Sequence, residues 1–326
     1  MSIILDGKAT SNQIKEELTI QVKEIKDTGK RPPHLAAVLV GNDGASLTYV
    51  GSKVRSCERI GYDSTLIKLD DDISQEALLD TIEKLNNDPL LDGFIVQLPL
   101  PKHIDEEVVL HAINPNKDVD GFHPTNFGKM ALGMQTFIPA TPFGIMELLK
   151  RYKLDISGKH AVVIGRSHIV GRPMSILLSE KGNPGNATVT LTHSRTQNLA
   201  AITKEADIVV SALGVPNFLT ADMVKDGAII IDVGITRVPD ADHPKGYVIV
   251  GANDTDGGNH AIATFTTSGF KGNEHPKECL IFWYNINTNG IDDALEVHKL
   301  DNDNNKITNF WVIFNKTFPI FLCVCY

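Results

Sequence analysis

Cysteine is nearly absent from the first 250 residues, where Cys57 stands alone, and the chain holds no Cys-x-x-Cys pair. A disulfide framework is therefore excluded over that stretch, and a reducing compartment is implied. Surplus positive charge is missing too: 31 Lys and Arg stand against 40 Asp and Glu, a net charge of −9. Such a field repels phosphate backbones and anionic lipid, which argues against nucleic acid or a membrane surface as partner. The N-terminus, MSIILDGKAT, has no basic stretch followed by an apolar one, so no signal peptide is read and the cytoplasm is expected. Long apolar runs are lacking as well. The last one, NFWVIFNKTFPIFLCVCY, is short and broken by Asn315, Lys316 and Pro319, unlike a membrane span.

What remains is a chain of 326 residues, 42% hydrophobic, enough for two ordinary domains with real cores. HLAAVLVG (34–41) reads as a strand buried on both faces, Ala45 to Ile60 as a helix, and STLIKL (64–69) as a strand. Ser74 to Leu85 reads as a helix with a Ser N-cap. DGFIVQLPLP (92–101) reads as a strand ended by prolines, and Asp105 to Ile113 as a helix. This alternation predicts an α/β layer with a parallel sheet. Residues 114–130 lack any period and read as a functional loop. ATPFGIMELLKRY (140–152) resumes a helix, with Thr141 as N-cap and Pro142 at its first position.

A second unit opens with the strand KHAVVIG (159–165) and a helix from about Gly171 to Lys181. ATVTLTHS (187–194), ADIVVSAL (206–213) and GAIIIDVGIT (227–236) follow as buried strands. Five or so such strands joined by short helices predict a doubly wound sheet. After Gly251 the character changes. The last 76 residues hold eleven asparagines, as many as the 250 before them, and both tryptophans. The expected division is 1–139, 140–251, and a tail 252–326 that does not continue the second unit.

Three features carry chemistry. VVIGRSHIVGRP (162–173) sits where a strand feeds a helix, and its Gly165, Ser167 and Gly171 form a Gly-x-Ser-x-x-x-Gly turn suited to a pyrophosphate. No acid ends the next strand, THSRT (192–196). Arg166 and Ser194, with Arg195 either joining them or simply solvated, favour a 2′-phosphate and hence NADP over NAD. Tyr49 and Lys53, four apart on one helix face, suit proton relay when water is excluded, or else make a surface pair. Gln97 reaches Lys53 or caps its own loop. Asp118 and Asp120 alternate and so point in opposite directions. One of them suits a guanidine-like edge such as a pterin offers, and the other reading is an Asx-turn before Gly121. His103, His111 and His123 are too irregularly spaced for a metal site, and none is expected.

The blocks VGNDGASLTYVGSKVRSCERIG, DGFIVQLPLP, KDVDGFHPTNFGKM, FIPATPFGIMELL, GKHAVVIGRSHIVGRP and IIDVGIT resemble, in this order, the bifunctional methylenetetrahydrofolate dehydrogenase/methenyltetrahydrofolate cyclohydrolase family. The resemblance covers residues 1 to about 251. It implies two α/β domains with a cleft between them, the second a Rossmann-like doubly wound parallel sheet. It also implies NADP-dependent oxidation of 5,10-methylenetetrahydrofolate and hydrolysis of the product to 10-formyltetrahydrofolate, in a homodimer paired through its nucleotide domains. By the same resemblance Lys53 transfers protons, Tyr49 packs on the folate, Gln97 positions the lysine and Asp120 holds the pterin. Gly165, Arg166, Ser167, Ser194 and Ile235 line the NADP site. The Tyr-x-x-x-Lys pair of short-chain dehydrogenases follows their glycine turn, whereas Lys53 precedes Gly165 here, so that family is not expected. The family's Pro-Val-Pro-Gly-Gly-Val-Gly-Pro loop and closing helix are replaced after Val250 by GANDTDGGNH and a tail with only Pro276 and Pro319. A shifted reading frame near codon 251 is one expected cause, and a non-catalytic NADP-binding remnant is the rival reading.

Overall fold

The structure, a computed structural model, describes residues 3–42, 44–215 and 217–234, and beyond these only strand segments. The first unit comprises β1 (Ile3–Ile4), α1 (Gly7–Asp27), β2 (His34–Val40), α2 (Gly44–Ile60), β3 (Asp63–Leu69), α3 (Gln75–Asn87), β4 (Gly93–Val96), α4 (Glu106–Ala112), α5 (Pro124–Ala131) and α6 (Ala140–Arg151). Three of its strands form a parallel sheet in the order β3-β2-β4. The near-continuous apolar run of β2 has a direct cause. Leu35, Ala37 and Leu39 enter the core that holds Ile14 and Leu18 of α1 and Val50 and Ile60 of α2. Ala36, Val38 and Val40 face Leu78 and Ile82 of α3 and Val109 of α4. Both faces of the strand are covered, and each buried side chain of this size contributes roughly 1.5–3 kcal/mol.

The second unit holds β5 (His160–Ile164), α7 (Gly171–Ser179), β6 (Thr188–Thr192), α8 (Leu199–Lys204), β7 (Ile208–Ser211), β8 (Leu219–Thr220), β9 (Ile229–Asp232), β10 (Thr236–Pro239), β11 (Tyr247–Val250), β12 (Asn253–Asp254) and β13 (Ala261–Thr264). Its sheet is six-stranded and parallel in the order β1-β13-β9-β7-β5-β6. The same alternation recurs in β5. Ala161 and Val163 join the core that reaches back to α1, α2 and α6, while Val162 and Ile164 face β7, β9 and Leu219. One apolar core thus runs from the first sheet through α6 to the second. Arg151 of α6 fixes this junction, meeting Glu17 of α1 with two nitrogens at 2.8 and 2.7 Å and Glu147 with a third at 2.7 Å. Four further strands, β14 (Cys279–Tyr284), β15 (Leu295–Leu300), β16 (Lys306–Val312) and β17 (Ile320–Cys325), pair antiparallel as β14–β17 and β15–β16.

Several expectations are corrected. The loop expected over 114–130 ends in helix α5, because the His123 side chain accepts from Thr125 N and Pro124 sits at the start, where no donor is needed. The helix expected to be capped by Thr141 begins at Ala140, with no side-chain cap. Pro142 still lies in the first turn, where N–H groups have no helical partner. Strand β4 stops at Val96, so Gln97 lies just past it. β6 is not a buried strand but a sheet edge, with Thr188 and Leu191 exposed. Strand character also persists past Gly251: β13 pairs with β9 and with β1, which the chain contributes from its own N-terminus.

Candidate functional site

Helix α2 carries Lys53 into a setting where it is only 5% exposed. Its Nζ lies 3.8 Å from Asp120 Oδ1, and the Asp120 side chain is 15% exposed. A buried ammonium is expensive without a counter-charge, and this carboxylate supplies one. Asp120 is delivered by the segment that follows α4. Phe94 N of β4 donates to Lys117 O at 2.9 Å, and Phe94 bridges Asp118 in parallel register. Gln97 extends the β2–β4 ladder by one step, its N donating to Val38 O at 2.9 Å, and its Nε2 donates to Leu98 O at 2.8 Å. The loop-capping half of the expectation for Gln97 is therefore seen. Tyr49 lies one turn before Lys53 on α2, and its side chain falls outside the described residues.

The two aspartates of the DVDG segment part as their alternation predicts. Asp118 turns inward, 2% exposed, and takes the Asx-turn role: its Oδ1 accepts from Gly121 N at 3.1 Å and its Oδ2 from His123 N at 2.8 Å. Asn126 Nδ2 donates to the same Oδ2 at 2.9 Å. Burial pushes the Asp118 carboxyl up to about 6, and the donors from His123 and Asn126 hold it lower than burial alone would. Gly121 has φ +69°, and a Cβ there would meet backbone atoms of 137–139 at 2.9 Å, so the turn tolerates no side chain. His111 and His123 stack edge to face with centroids 6.1 Å apart, and burial lowers the His123 pKa. His103 Nε2 donates to Ile73 O at 2.9 Å, a loop contact.

At the carboxyl edge of the second sheet, the turn from β5 into α7 is closed tightly. Gly165 has φ +112°, and a Cβ on it would meet Ala212 O at 2.7 Å. A Cβ on Gly171 would fall 2.0 Å from Gly165 O. Ser167 Oγ accepts from Val170 N at 3.1 Å and Gly171 N at 3.5 Å, which holds the turn in shape. The N-cap residue Val170 offers no side-chain cap to α7, and Ser167 serves instead, its Oγ accepting from Gly171 N and its O from Arg172 N at 3.0 Å. A glycine turn that carries a strand into a helix N-terminus is the setting in which backbone can hold a pyrophosphate. Arg166, Ser194 and Arg195 are all exposed here, whereas Ile235 lies outside the described residues. Sequence reading missed two neighbours, Ser211 and Asp232, buried register partners at the ends of β7 and β9. A polar residue ending an otherwise apolar strand run was their only signal. The units meet nearby: α7 packs on α5 and α6, and a Cβ on Gly133 would reach Glu180 Oε1 at 2.7 Å.

Comparison with known proteins gives matches over most of the chain. Residues 5–120 match the family described as tetrahydrofolate dehydrogenase/cyclohydrolase, catalytic domain, and residues 139–268 its NAD(P)-binding domain. The bifunctional protein FolD of Flavobacterium johnsoniae is 68% identical over 254 residues, spanning 78% of this chain and 86% of that protein. Among solved structures, the bifunctional methylenetetrahydrofolate dehydrogenase/cyclohydrolase of Campylobacter jejuni superposes with a TM-score of 0.76 at 44% identity, covering 82% of this chain and 93% of that one. The Trypanosoma brucei enzyme, solved with NADP and an inhibitor, gives 0.76 at 35% identity, covering 82% and 91%.

Proposed function

This chain belongs to the tetrahydrofolate dehydrogenase/cyclohydrolase family, and from that premise we infer both its reaction and the residues that carry it. The chain oxidises 5,10-methylenetetrahydrofolate to the 5,10-methenyl cation with NADP and hydrolyses that cation to 10-formyltetrahydrofolate. The observation that carries the site assignment is the buried Lys53–Asp120 pair, whose carboxylate keeps a partly open face.

The glycine turn fits the cofactor. Gly165, Ser167 and Gly171 shape a turn with no side-chain bulk at its two glycines, against which the pyrophosphate would lie, and Arg166 and Ser194 stand exposed for a 2′-phosphate. When bound, NADP supplies the acceptor for the hydride that leaves the folate methylene carbon. Asp120 receives the guanidine-like edge of the pterin, which fixes the ring, and Tyr49 packs on it. In the second half-reaction water adds to the methenyl carbon and gives up a proton, and one carbon–nitrogen bond then breaks. Lys53 in its neutral amine form takes that proton and gives it to the ring nitrogen as the carbon–nitrogen bond breaks, the hydroxyl proton of the adduct leaving to solvent, with Gln97 just past β4 orienting the lysine. The folate thus lies in a cleft between residues 1–139 and 140–251.

The rival reading, a non-catalytic remnant, is not favoured. The family match runs to residue 268, well past Gly251, and the Flavobacterium relative is covered over 86% of its length. We also propose a homodimer paired through its nucleotide domains, supported by the exposed edge strand β6. A cytoplasmic setting is proposed from the composition, and no helix among the described residues is long and apolar enough to cross a membrane.

The direct test mixes the purified chain with 5,10-methylenetetrahydrofolate and NADP and follows reduced cofactor and 10-formyltetrahydrofolate. Both products are expected. NADP binding with neither product formed would overturn the assignment.

A further inference from the structure

Asp118 is 2% exposed and accepts three hydrogen bonds from three places. Gly121 N (3.1 Å) closes the DVDG turn on itself, His123 N (2.8 Å) belongs to the cap of α5, and Asn126 Nδ2 (2.9 Å) comes from within α5. Asn126 carries the network outward. Its Nδ2 also donates to Pro115 O at 2.9 Å, and its Oδ1 accepts from Thr136 Oγ1 at 2.8 Å. On the opposite side Phe94 ties the segment to β4, and Gly121 is pressed against the 137–139 backbone. Asp120 lies between these anchors. Its carboxylate faces Lys53 at 3.8 Å, while the carboxylate two residues earlier is spent wholly on the backbone and on Asn126.

A neutral amide or an apolar side chain is normally cheaper to bury than a carboxylate. An acid in such a site satisfies donors that converge on it, and here they come from the turn just after Asp120 and from the start of α5. We infer that Asp118 is a positioning residue: by closing the DVDG turn on itself and locking it to α5, and through Asn126 to Thr136, it aims the Asp120 carboxylate and so sets folate affinity without touching folate. The inference rests on the assignment of Asp120 to the pterin.

The test uses the full chain and four variants: Asp118→Asn, Asp120→Asn, the double variant and Thr136→Val. An amide at 118 keeps the shape and one acceptor but turns a donor toward His123 N and Asn126 Nδ2. For Asp118→Asn, kcat/KM for 5,10-methylenetetrahydrofolate should fall roughly 10- to 100-fold, the scale of a displaced catalytic group, while the NADP Kd changes less than about twofold. In the Asp120→Asn background the same change should add less than about twofold, because coupled residues are not additive. Thr136→Val, which leaves both carboxylates in place, should give a smaller loss confined to folate. Unchanged folate parameters in Asp118→Asn, a loss that multiplies in full in the double variant, or an equal weakening of NADP would each overturn the inference. Should Asp118→Asn fail to fold, Thr136→Val decides: wild-type folate kinetics there refute it, and a folate-selective loss upholds it. A fully active Asp120→Asn would instead sink the pterin assignment itself, so the two failures are told apart.

Discussion

Lys53 Nζ and Asp120 Oδ1 stand 3.8 Å apart, one delivered by helix α2 and the other by the segment that follows α4. The lysine is the more buried of the two, with 6% of its side chain exposed against 15%. An amine held in this way can exchange a proton with a neighbouring group while bulk water is kept off. Lys53→Met keeps the length and the apolar stem and removes only the proton-transferring end. We expect hydrolysis of 5,10-methenyltetrahydrofolate to fall roughly 10²- to 10⁴-fold, the usual contribution of a positioned acid–base group. NADP affinity should stay as it is, measured by fluorescence titration. Hydrolysis at the parental rate would remove Lys53 from the mechanism.

Cofactor choice gives the second prediction. Arg166 and Ser194 are exposed beside the glycine turn, where only a ligand bearing charge at that point would engage them. Hydrogen bonds to a charged group contribute about 1.5–3 kcal/mol, which corresponds to roughly 10- to 150-fold in affinity. Arg166→Gln should therefore weaken NADP by about that factor and leave NAD nearly unaffected. Paired titrations with the two nucleotides check it. Equal losses for both would mean that Arg166 serves the turn rather than the 2′-phosphate.

The fold was readable where one residue type dictated one environment. The six buried residues of β2 and the four of β5 announced strands covered on both faces, and Ser74 announced its helix by accepting from Ala77 N at 3.2 Å. Local patterns failed where a distant partner decided. α5 is eight residues long with only Asn126 and Met130 buried, too little periodicity to stand out from its loop. β6 has the composition of a core strand yet ends the sheet, because nothing in five residues says whether a neighbour follows. At the site, the spacing of Asp118 and Asp120 implied opposite directions without saying which faced inward. That depended on donors at 121, 123 and 126, the last of them on the helix that the pattern had not revealed.

The glycine turn yields a prediction with a built-in control. A methyl group at Gly171 would sit 2.0 Å from Gly165 O and 2.9 Å from Arg166 N, so backbone has to move. Overpacking of this kind destabilises by about 1–3 kcal/mol, and here it also distorts the turn proposed to hold the pyrophosphate. Gly29, by contrast, has a positive φ of +79° and open space around it. Gly29→Ala should lose only about 1 kcal/mol of stability from backbone strain, with NADP binding intact. Gly171→Ala should lose both. Thermal unfolding with and without NADP separates the two variants, and an NADP-dependent stabilisation of Gly171→Ala equal to that of the parent would refute the tight-turn reading.

The last prediction concerns pH and follows from the burial of Asp118. Its carboxyl is raised from 3.8 to about 6, first by burial, with the nearby charge of Asp120 adding to the rise and the donors from His123 and Asn126 opposing it. Between those two values the folded chain still holds a proton that the unfolded chain has released. Unfolding then sheds protons, so stability falls as pH rises through about 4 to 6 and is flat beyond. A shift of this size corresponds to at most about 3 kcal/mol, since each pKa unit is about 1.4 kcal/mol. Asp118→Asn cannot titrate. Its stability, however much the lost hydrogen bonds lower it overall, should decline less than the parent's over that interval. Urea unfolding at a series of pH values measures the two slopes. If the curves of parent and variant ran parallel from about pH 4 to 6, the side chain at 118 would be titrating as an ordinary solvated carboxylate, against the burial that defines its place in the turn.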